Sequence, residues 1–467
     1  MVATAYAPRA ARRRQARADA GGPLTDRWTP LRRIQAQVTL WEATSRFRVV
    51  PAGRRSGKTE LAKRFLVLQA IAFFAHPDGW FICAAPTRQQ AKDIFWGDLK
   101  RMVPNWALLT GKRSTSINES ELKIFLFNGA TIQVVGMDQP MRVEGHPIDG
   151  AVVDEYGNMK EAAWSEHLRP ALSTVGREGW AWLIGVPEGR NHYYKRATHA
   201  MADATGEWSY HHWLSREVLN EAEIRSAMRD LDRLTFEQEY EGSFLNFTGR
   251  AYYDFERSIH ALPQHGLDYD PRADLVFCFD FNRAPGVAVV CQEQDYQGRD
   301  GRFADQVTGV IGEVWIPKNS NTVKVCRRLA KDWGDHQGRV LCYGDATGGA
   351  KKSSSVDGSD WDLVEQTLRL TFGDALAYRY RKANPAERAR VNCVNSRIMT
   401  ADGTCALAVD PAAAPHTVDD LEGTVLVEGG SGELDKDPDD DLTHLSDALG
   451  YYMHEEFHIS GPSFVEE

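Results

Sequence analysis

A chain of 467 residues is longer than one ordinary core supports, since single domains run to roughly 100–200 residues, so two or three domains are expected. Its 42% apolar and 26% charged content, with a mean hydropathy of -0.44, excludes a disordered polymer. The longest apolar stretch, around Phe65 to Ala75, is broken by Gln69 and reads as a buried helix rather than a membrane span. A formal net charge of -10 excludes a protein that coats nucleic acid by bulk charge, so any DNA contact must come from local basic patches.

Taken in chain order, residues 1–25 form a basic arm rich in Ala and Arg (Arg9, Arg12, Arg13, Arg14, Arg17). The arm lacks the apolar core of a secretory signal and is expected to be disordered. Residues 26–245 then alternate strand-like runs (Phe47–Val50, Trp80–Ala84, Thr131–Val135, Ala151–Val153, Trp180–Ile184) with helix-like ones (Glu60–Ala72, Gln89–Met102). This alternation predicts an α/β domain with a mainly parallel sheet. Across residues 246–272 the pattern breaks into Gly, Asn, Pro and aromatics, which marks a linker. Residues 273–467 open a second α/β rhythm: strands Leu275–Phe281, Val287–Gln292 and Val307–Ile316, the helix Thr322–Trp333, the strand Val340–Tyr343, and a last helix Leu442–Met453 after an acidic loop. The seven cysteines form no CxxC pair and read as reduced core residues.

The strand Phe47–Val50 runs into Ala52-Gly-Arg-Arg-Ser-Gly-Lys-Thr59 and a long helix, the context that gives a phosphate-binding loop its meaning. Gly53, Ser56 and Gly57 would let backbone N–H groups wrap the phosphates of ATP, Lys58 would reach the β and γ oxygens, and the Thr59 hydroxyl would hold Mg²⁺. Ala52 stands where the pattern GxxxxGK[ST] has its first glycine. About a hundred residues on, an apolar strand ends in Asp154-Glu155. Asp154 would hold the Mg²⁺ through water, and Glu155 would orient and deprotonate the attacking water. Arg54 and Arg55 are more cations than a phosphate cradle needs, so at least one either neutralises transition-state charge or pairs with a nearby acid.

In the second half, Asp280 ends one strand, Asp345 follows another, and Asp447 lies on the last helix with His444 one turn earlier. Carboxylates so placed can share two divalent ions, Mg²⁺ or Mn²⁺, for phosphodiester cleavage. His444 would be a ligand or would orient one, and Asp440 or Asp441 are alternative acids on the same stretch. The segment Tyr378–Arg397 carries Arg379, Arg381, Lys382, Arg388, Arg390 and Arg397 with two interleaved tyrosines, and is either a DNA-backbone contact or a solvated basic helix.

These residues resemble the large terminase subunit of tailed bacteriophages and prophages. The string Arg46-Phe-Arg-Val-Val-Pro-Ala-Gly-Arg-Arg-Ser-Gly-Lys-Thr59 is similar to that family's variant phosphate loop, which accounts for the missing glycine. By resemblance, Gln37 contacts adenine, Asn128-Gly129 and the stretch from Asp138 through Arg142 and Gly145 lead to the acidic pair, and Gly185-Val186-Pro187 holds the place of a coupling motif without its hydroxyl. Phe236-Glu-Gln-Glu-Tyr240, Phe244, Tyr253 and Phe255 resemble the link into the nuclease domain, and Arg390-Val-Asn-Cys-Val-Asn395 the helix before the third acid. The resemblance implies a phosphate-loop ATPase domain followed by an RNase H-like nuclease domain, with Asp280, Asp345 and Asp447 as metal-binding acids. It implies a packaging motor that drives double-stranded DNA into a procapsid and cuts concatemers. Its implied partners are a portal protein, a small terminase subunit and further copies in a ring, with no membrane. It would work in the host bacterial cytoplasm and transiently on the procapsid, outside the mature virion. Two other readings share the motifs: a helicase–nuclease of repair or defence, and a translocase that does not cleave.

Overall fold

The computed structural model describes residues 34–245, 249–263, 266–281, 285–296, 301–346, 359–381, 383–427, 432–436 and 442–458. The expected basic arm, Lys382, Asp440 and Asp441 lie outside them. The chain divides into two compact units, one running to residue 220 and adding 237–245, the other made of 221–236 and the residues from 246 onward. No helix among the described residues is long and apolar enough to cross a membrane.

In the first unit six strands lie side by side and all parallel, in the order Trp208–Tyr210, Phe47–Pro51, Trp180–Gly185, Gly150–Val153, Trp80–Ala85 and Thr131–Gly136. Lys123–Phe125 and Ile117–Asn118 extend the far edge antiparallel. The central strands are buried along their whole length, as a parallel sheet covered on both faces requires. One apolar layer forms beneath the helix Lys58–Ile71 through Leu61, Phe65, Leu66 and Ala70, with Phe65 stacked on Trp182 at 4.5 Å. The other gathers Phe47, Trp164, Leu183, Tyr193 and Trp208. Asn128 closes the end of the helix Lys58–Ile71, donating from Nδ2 to the carbonyls of Ala70 at 2.9 Å and Phe73 at 2.6 Å.

The second unit holds a six-stranded sheet in the order Leu376–Tyr378, Val340–Gly344, Leu275–Asp280, Gly286–Asp295, Phe303–Ile316 and Cys405–Val409. The three strands from Leu275 to Ile316 form an antiparallel meander, and Val340–Gly344 runs parallel to the first of them. This is an RNase H-like α/β arrangement. Leu275, Phe277 and Phe279 pack with Val325, Leu329, Val364 and Leu368 of the helices Thr322–Trp333 and Asp360–Phe372. With side chains alternating across a strand, Asp280 belongs to the opposite face, where the helix His444–Phe457 packs.

The expected linker is not structureless: Gly249–Arg250 pairs antiparallel with Val425–Leu426, and Arg257–His260 is helical. Residues 221–236 join the second unit because their backbone and side chains are bonded there. The N–H groups of Ala401 and Asp402 donate to the Leu231 and Met228 carbonyls, and Asp232 accepts the Tyr253 hydroxyl. The seven thiols are free, all buried except the half-buried Cys393.

Candidate functional site

The phosphate loop leaves the buried strand Phe47–Pro51 and enters the helix Lys58–Ile71 through Gly57, whose φ of 84° is a left-handed conformation that costs a glycine little. The first N–H groups of that helix face the loop, as anion binding at a helix start requires. Two side chains from outside the loop hold it: Gln37 Nε2 and Trp213 Nε1 both donate to the Ser56 carbonyl, at 2.9 Å and 3.1 Å. Gln37, expected against adenine, is found bracing the loop itself. Trp213 carried no sequence signal. Gly53 is required for a reason other than phosphate wrapping. A Cβ there would run into Ser215 and the Tyr240 carbonyl, with Ser215 N at 2.7 Å, and the Gly53 N–H already donates to the Trp213 carbonyl at 3.1 Å. The Arg54 N–H likewise donates to the Glu239 carbonyl at 2.6 Å, so the phosphate-facing amides begin after Arg54. Lys58 and Ser56 are buried, and Ser56 Oγ has no hydrogen-bond partner among the described residues.

The acid strand Gly150–Val153 is separated from the loop strand by Trp180–Gly185, yet Asp154 reaches the loop: Thr59 Oγ1 donates to Asp154 Oδ2 at 2.8 Å. These two hard oxygens are the donor set a Mg²⁺ ion would take, and they already meet. Asp154 Oδ1 accepts the Glu155 N–H at 2.9 Å, and Glu155 itself is held left-handed at φ 50°. Burial pushes the Glu155 carboxyl up to about 7, reinforced by Asp154 and opposed by Lys58 and Arg54. A carboxyl poised near neutrality suits a general base. Gly185 closes on this turn, where a Cβ would sit 3.3 Å from Tyr156 N. The coupling position has no hydroxyl, but Asn191 Nδ2 donates to the Gly157 carbonyl at 2.9 Å and His192 Nε2 to the Tyr156 carbonyl at 3.0 Å. Burial lowers the His192 pKa, which keeps the ring a neutral donor.

Arg54 donates through Nε to the Glu239 carboxylate, the ion-pair alternative for this residue. Burial alone would lower its pKa, but Glu239 and Glu155 raise it. Arg55 is exposed and left-handed at φ 55°.

In the second unit the parallel register sets Phe279 beside Gly344, so Asp280 and Asp345 leave the sheet at the same end. Asp280 Oδ2 lies 3.2 Å from His444 Nδ1. Burial pushes the Asp280 carboxyl up, and the bond to Asp280 raises His444. Asp345 accepts from Asn384 Nδ2 at 2.7 Å. Asp447 is held by two cations: Arg390 Nη1 at 2.7 Å on Oδ1 and Lys436 Nζ at 2.8 Å on Oδ2. The oxygen donors suit a divalent ion, but among the described residues no three His, Cys, Asp or Glu side chains are close enough to hold one. The cations on Asp447 stand where an ion's charge would. The helix carrying His444 and Asp447 is capped from outside by buried Asp420, whose Oδ2 accepts the N–H groups of Leu445 at 2.8 Å and Ser446 at 3.1 Å.

The basic segment is largely spoken for. Arg379 pairs with Glu456, Arg381 with Glu455, Arg390 with Asp447 and Arg397 with Glu293, the last two from buried or nearly buried positions. Of these four, Arg379 and Arg381 retain substantial exposure.

Residues 50–259 match the family described as terminase large subunit, T4-like-virus type, N-terminal. The large terminase subunits of Thermus virus P23-45 and Thermus phage G20c are each 30% identical over 175 residues, 34% of this chain and 34% of each relative. The match thus spans about a third of the length of those relatives. A solved large terminase from a thermophilic bacteriophage shares the fold over 91% of this chain and 99% of its own, with a TM-score of 0.56 at 14% identity. The same phage protein solved with ADP gives 0.56 at 16% identity, over 90% of this chain and 98% of its own. By its phosphate-loop domain, then, this chain is similar to the N-terminal part of the terminase large subunit family.

Proposed function

We propose that this chain is the large subunit of a viral genome packaging motor, which hydrolyses ATP to drive double-stranded DNA into a procapsid and cuts concatemeric DNA with its second domain. The observation that carries the reading is the contact of Thr59 with Asp154 beside a buried, near-neutral Glu155, inside the segment that matches the terminase family. ATP would bind at the loop, with Lys58 on its outer phosphates and Mg²⁺ on Thr59 and Asp154. Glu155 would take the proton of the attacking water as that water meets the γ-phosphorus. The thermophilic phage terminase solved with ADP supports the nucleotide part of this reading.

In the nuclease domain, Asp280, Asp345 and Asp447, with His444 beside them, would take Mg²⁺ or Mn²⁺ once Lys436 yields its place on Asp447. Bound ions would supply an activated water and stabilise the leaving 3′ oxygen. Portal protein, a small terminase subunit and further copies of this chain in a ring are the proposed partners, and the host bacterial cytoplasm is the proposed setting. The test measures ATP turnover and plasmid cleavage, in Mg²⁺ or Mn²⁺, by wild-type, Lys58→Ala and Asp280→Ala proteins. Loss of turnover alone in Lys58→Ala and of cleavage alone in Asp280→Ala is expected. ATP turnover without cleavage in either metal would leave a translocase, and unwinding of a forked duplex would favour a helicase. Procapsids with bound portal should then protect DNA from added nuclease only when ATP is present.

A further inference from the structure

Glu155, the base in the ATPase reading, is held in a backbone conformation that its own side chain disfavours. Its φ of 50° and ψ of 44° are left-handed, which a residue other than glycine keeps only where its surroundings enforce it. The enforcement comes from the turn that follows. The Asn158 N–H donates to the Glu155 carbonyl at 3.0 Å and the Met159 N–H to the Tyr156 carbonyl at 3.2 Å, closing a single 3₁₀ turn over Tyr156–Asn158. One turn of this kind is weakly bonded by itself. Its relaxation would rotate the Cα–Cβ bond of Glu155 and swing the carboxylate out of place.

Two side chains from one later stretch steady the turn. Asn191 Nδ2 donates to the Gly157 carbonyl at 2.9 Å, and His192 Nε2 to the Tyr156 carbonyl at 3.0 Å. The other end of the Asn191 amide fixes its orientation: Oδ1 accepts the Tyr193 N–H at 2.9 Å and caps the helix His192–Ala202. A single amide thus caps a helix with its oxygen and braces the turn with its nitrogen. The start of that helix is anchored in turn. Tyr193 is wholly buried, its hydroxyl donates to the Leu183 carbonyl at 3.2 Å, and its ring makes edge contacts with Tyr156 and Phe244, each at 5.4 Å between centroids. Leu183 lies on the strand paired with the acid strand, so the turn and its brace are both referenced to one sheet.

We propose that Asn191 and His192 are positioning residues for ATP hydrolysis. By holding the Tyr156–Gly157 turn they keep the Glu155 carboxylate aimed at the attacking water, acting through Glu155 rather than on the nucleotide. The inference rests on the ATPase reading above.

The test uses the full-length protein and three measurements: ATP turnover, binding of a non-hydrolysable ATP analogue with its stoichiometry, and the melting temperature. Asn191→Ser keeps a capping oxygen but removes the amide donor. It should lower kcat about 100-fold, the scale set by a misplacement of about 1 Å, while KM, analogue affinity, stoichiometry and melting temperature stay close to wild type. His192→Ala should act in the same direction, and His192→Gln, whose Nε2 can donate to the same carbonyl, should restore most of the rate. Wild-type kcat in both Asn191→Ser and His192→Ala overturns the inference, and so does a fall in kcat that only follows a fall in analogue stoichiometry, which marks lost folded protein. Absence of ATP turnover in the wild type would sink the ATPase reading and this inference with it, whereas turnover that wild type shows and both variants keep overturns the inference alone.

Discussion

Arg54 grips Glu239 twice, through its guanidinium Nε to the carboxylate and through its backbone N–H to the carbonyl at 2.6 Å. Contact through Nε leaves the two terminal NH₂ groups for a phosphate oxygen. Arg54→Ala should therefore lower kcat for ATP by about 100-fold, the scale of losing one transition-state donor, with little change in KM. Glu239→Ala should act in the same direction, and the double variant should be no worse than Arg54→Ala alone. A wild-type kcat in Arg54→Ala would reduce the pair to a structural ion pair and pass the catalytic question to Arg55.

Glu155 sets a pH prediction. Its carboxyl is pushed up to about 7 by burial, so in the free enzyme the base is protonated at pH 6 and ionised at pH 8. ATP turnover measured as kcat/KM should rise with pH through a midpoint near 7. The sign for stability is opposite: the folded state holds this proton more tightly than the unfolded chain, so the contribution is full below the ordinary carboxylate range and is lost as pH rises to about 7. Glu155→Gln should flatten that loss while abolishing turnover.

Gly53 and Ala52 make a matched pair. Gly53→Ala would drive a methyl into Ser215 and the Tyr240 carbonyl, an overpacking that costs about 1–3 kcal/mol or forces the loop apart. A lower melting temperature and lost ATP-analogue binding are expected. Ala52→Gly, which restores the usual glycine pattern, should change turnover little. Equal behaviour of the two variants would mean that the 213–215 and 239–242 segments do not brace the loop.

Lys436 bridges Asp447 and Glu387, at 2.8 Å from each. A divalent ion arriving at Asp447 must displace this ammonium, so Lys436→Met should bind Mn²⁺ several-fold more tightly by calorimetry. Unchanged affinity would separate Asp447 from the ion site.

Some of this is legible in the sequence and some is not, for a physical reason. A phosphate loop is local chemistry: Gly57, Lys58 and Thr59 are adjacent in the chain and in space, so their order alone locates them. Asp280 and Asp345 are legible because strand ends in a parallel pair emerge together. Trp213 and Glu239 are not, because what they hold lies more than a hundred and fifty residues away in the chain, and only the fold brings it near. The basic segment shows the opposite failure. Six cations in twenty residues suggest DNA, but their spacing cannot reveal that Glu455, Glu456, Asp447 and Glu293 already answer four of them. Nor does composition show that residues 221–236 leave the first unit, since that is decided by backbone bonds to Ala401 and Asp402.

The buried thiols turn the molecule into its own unfolding reporter. Cys83 is the one cysteine of the first unit, and Cys278, Cys291, Cys326, Cys342, Cys393 and Cys405 all belong to the second. A bulky thiol reagent added during a denaturant ramp can enter only where a core has opened. Mass spectrometry of the labelled chain would then read out which of the two domains gives way first, with no engineered probe.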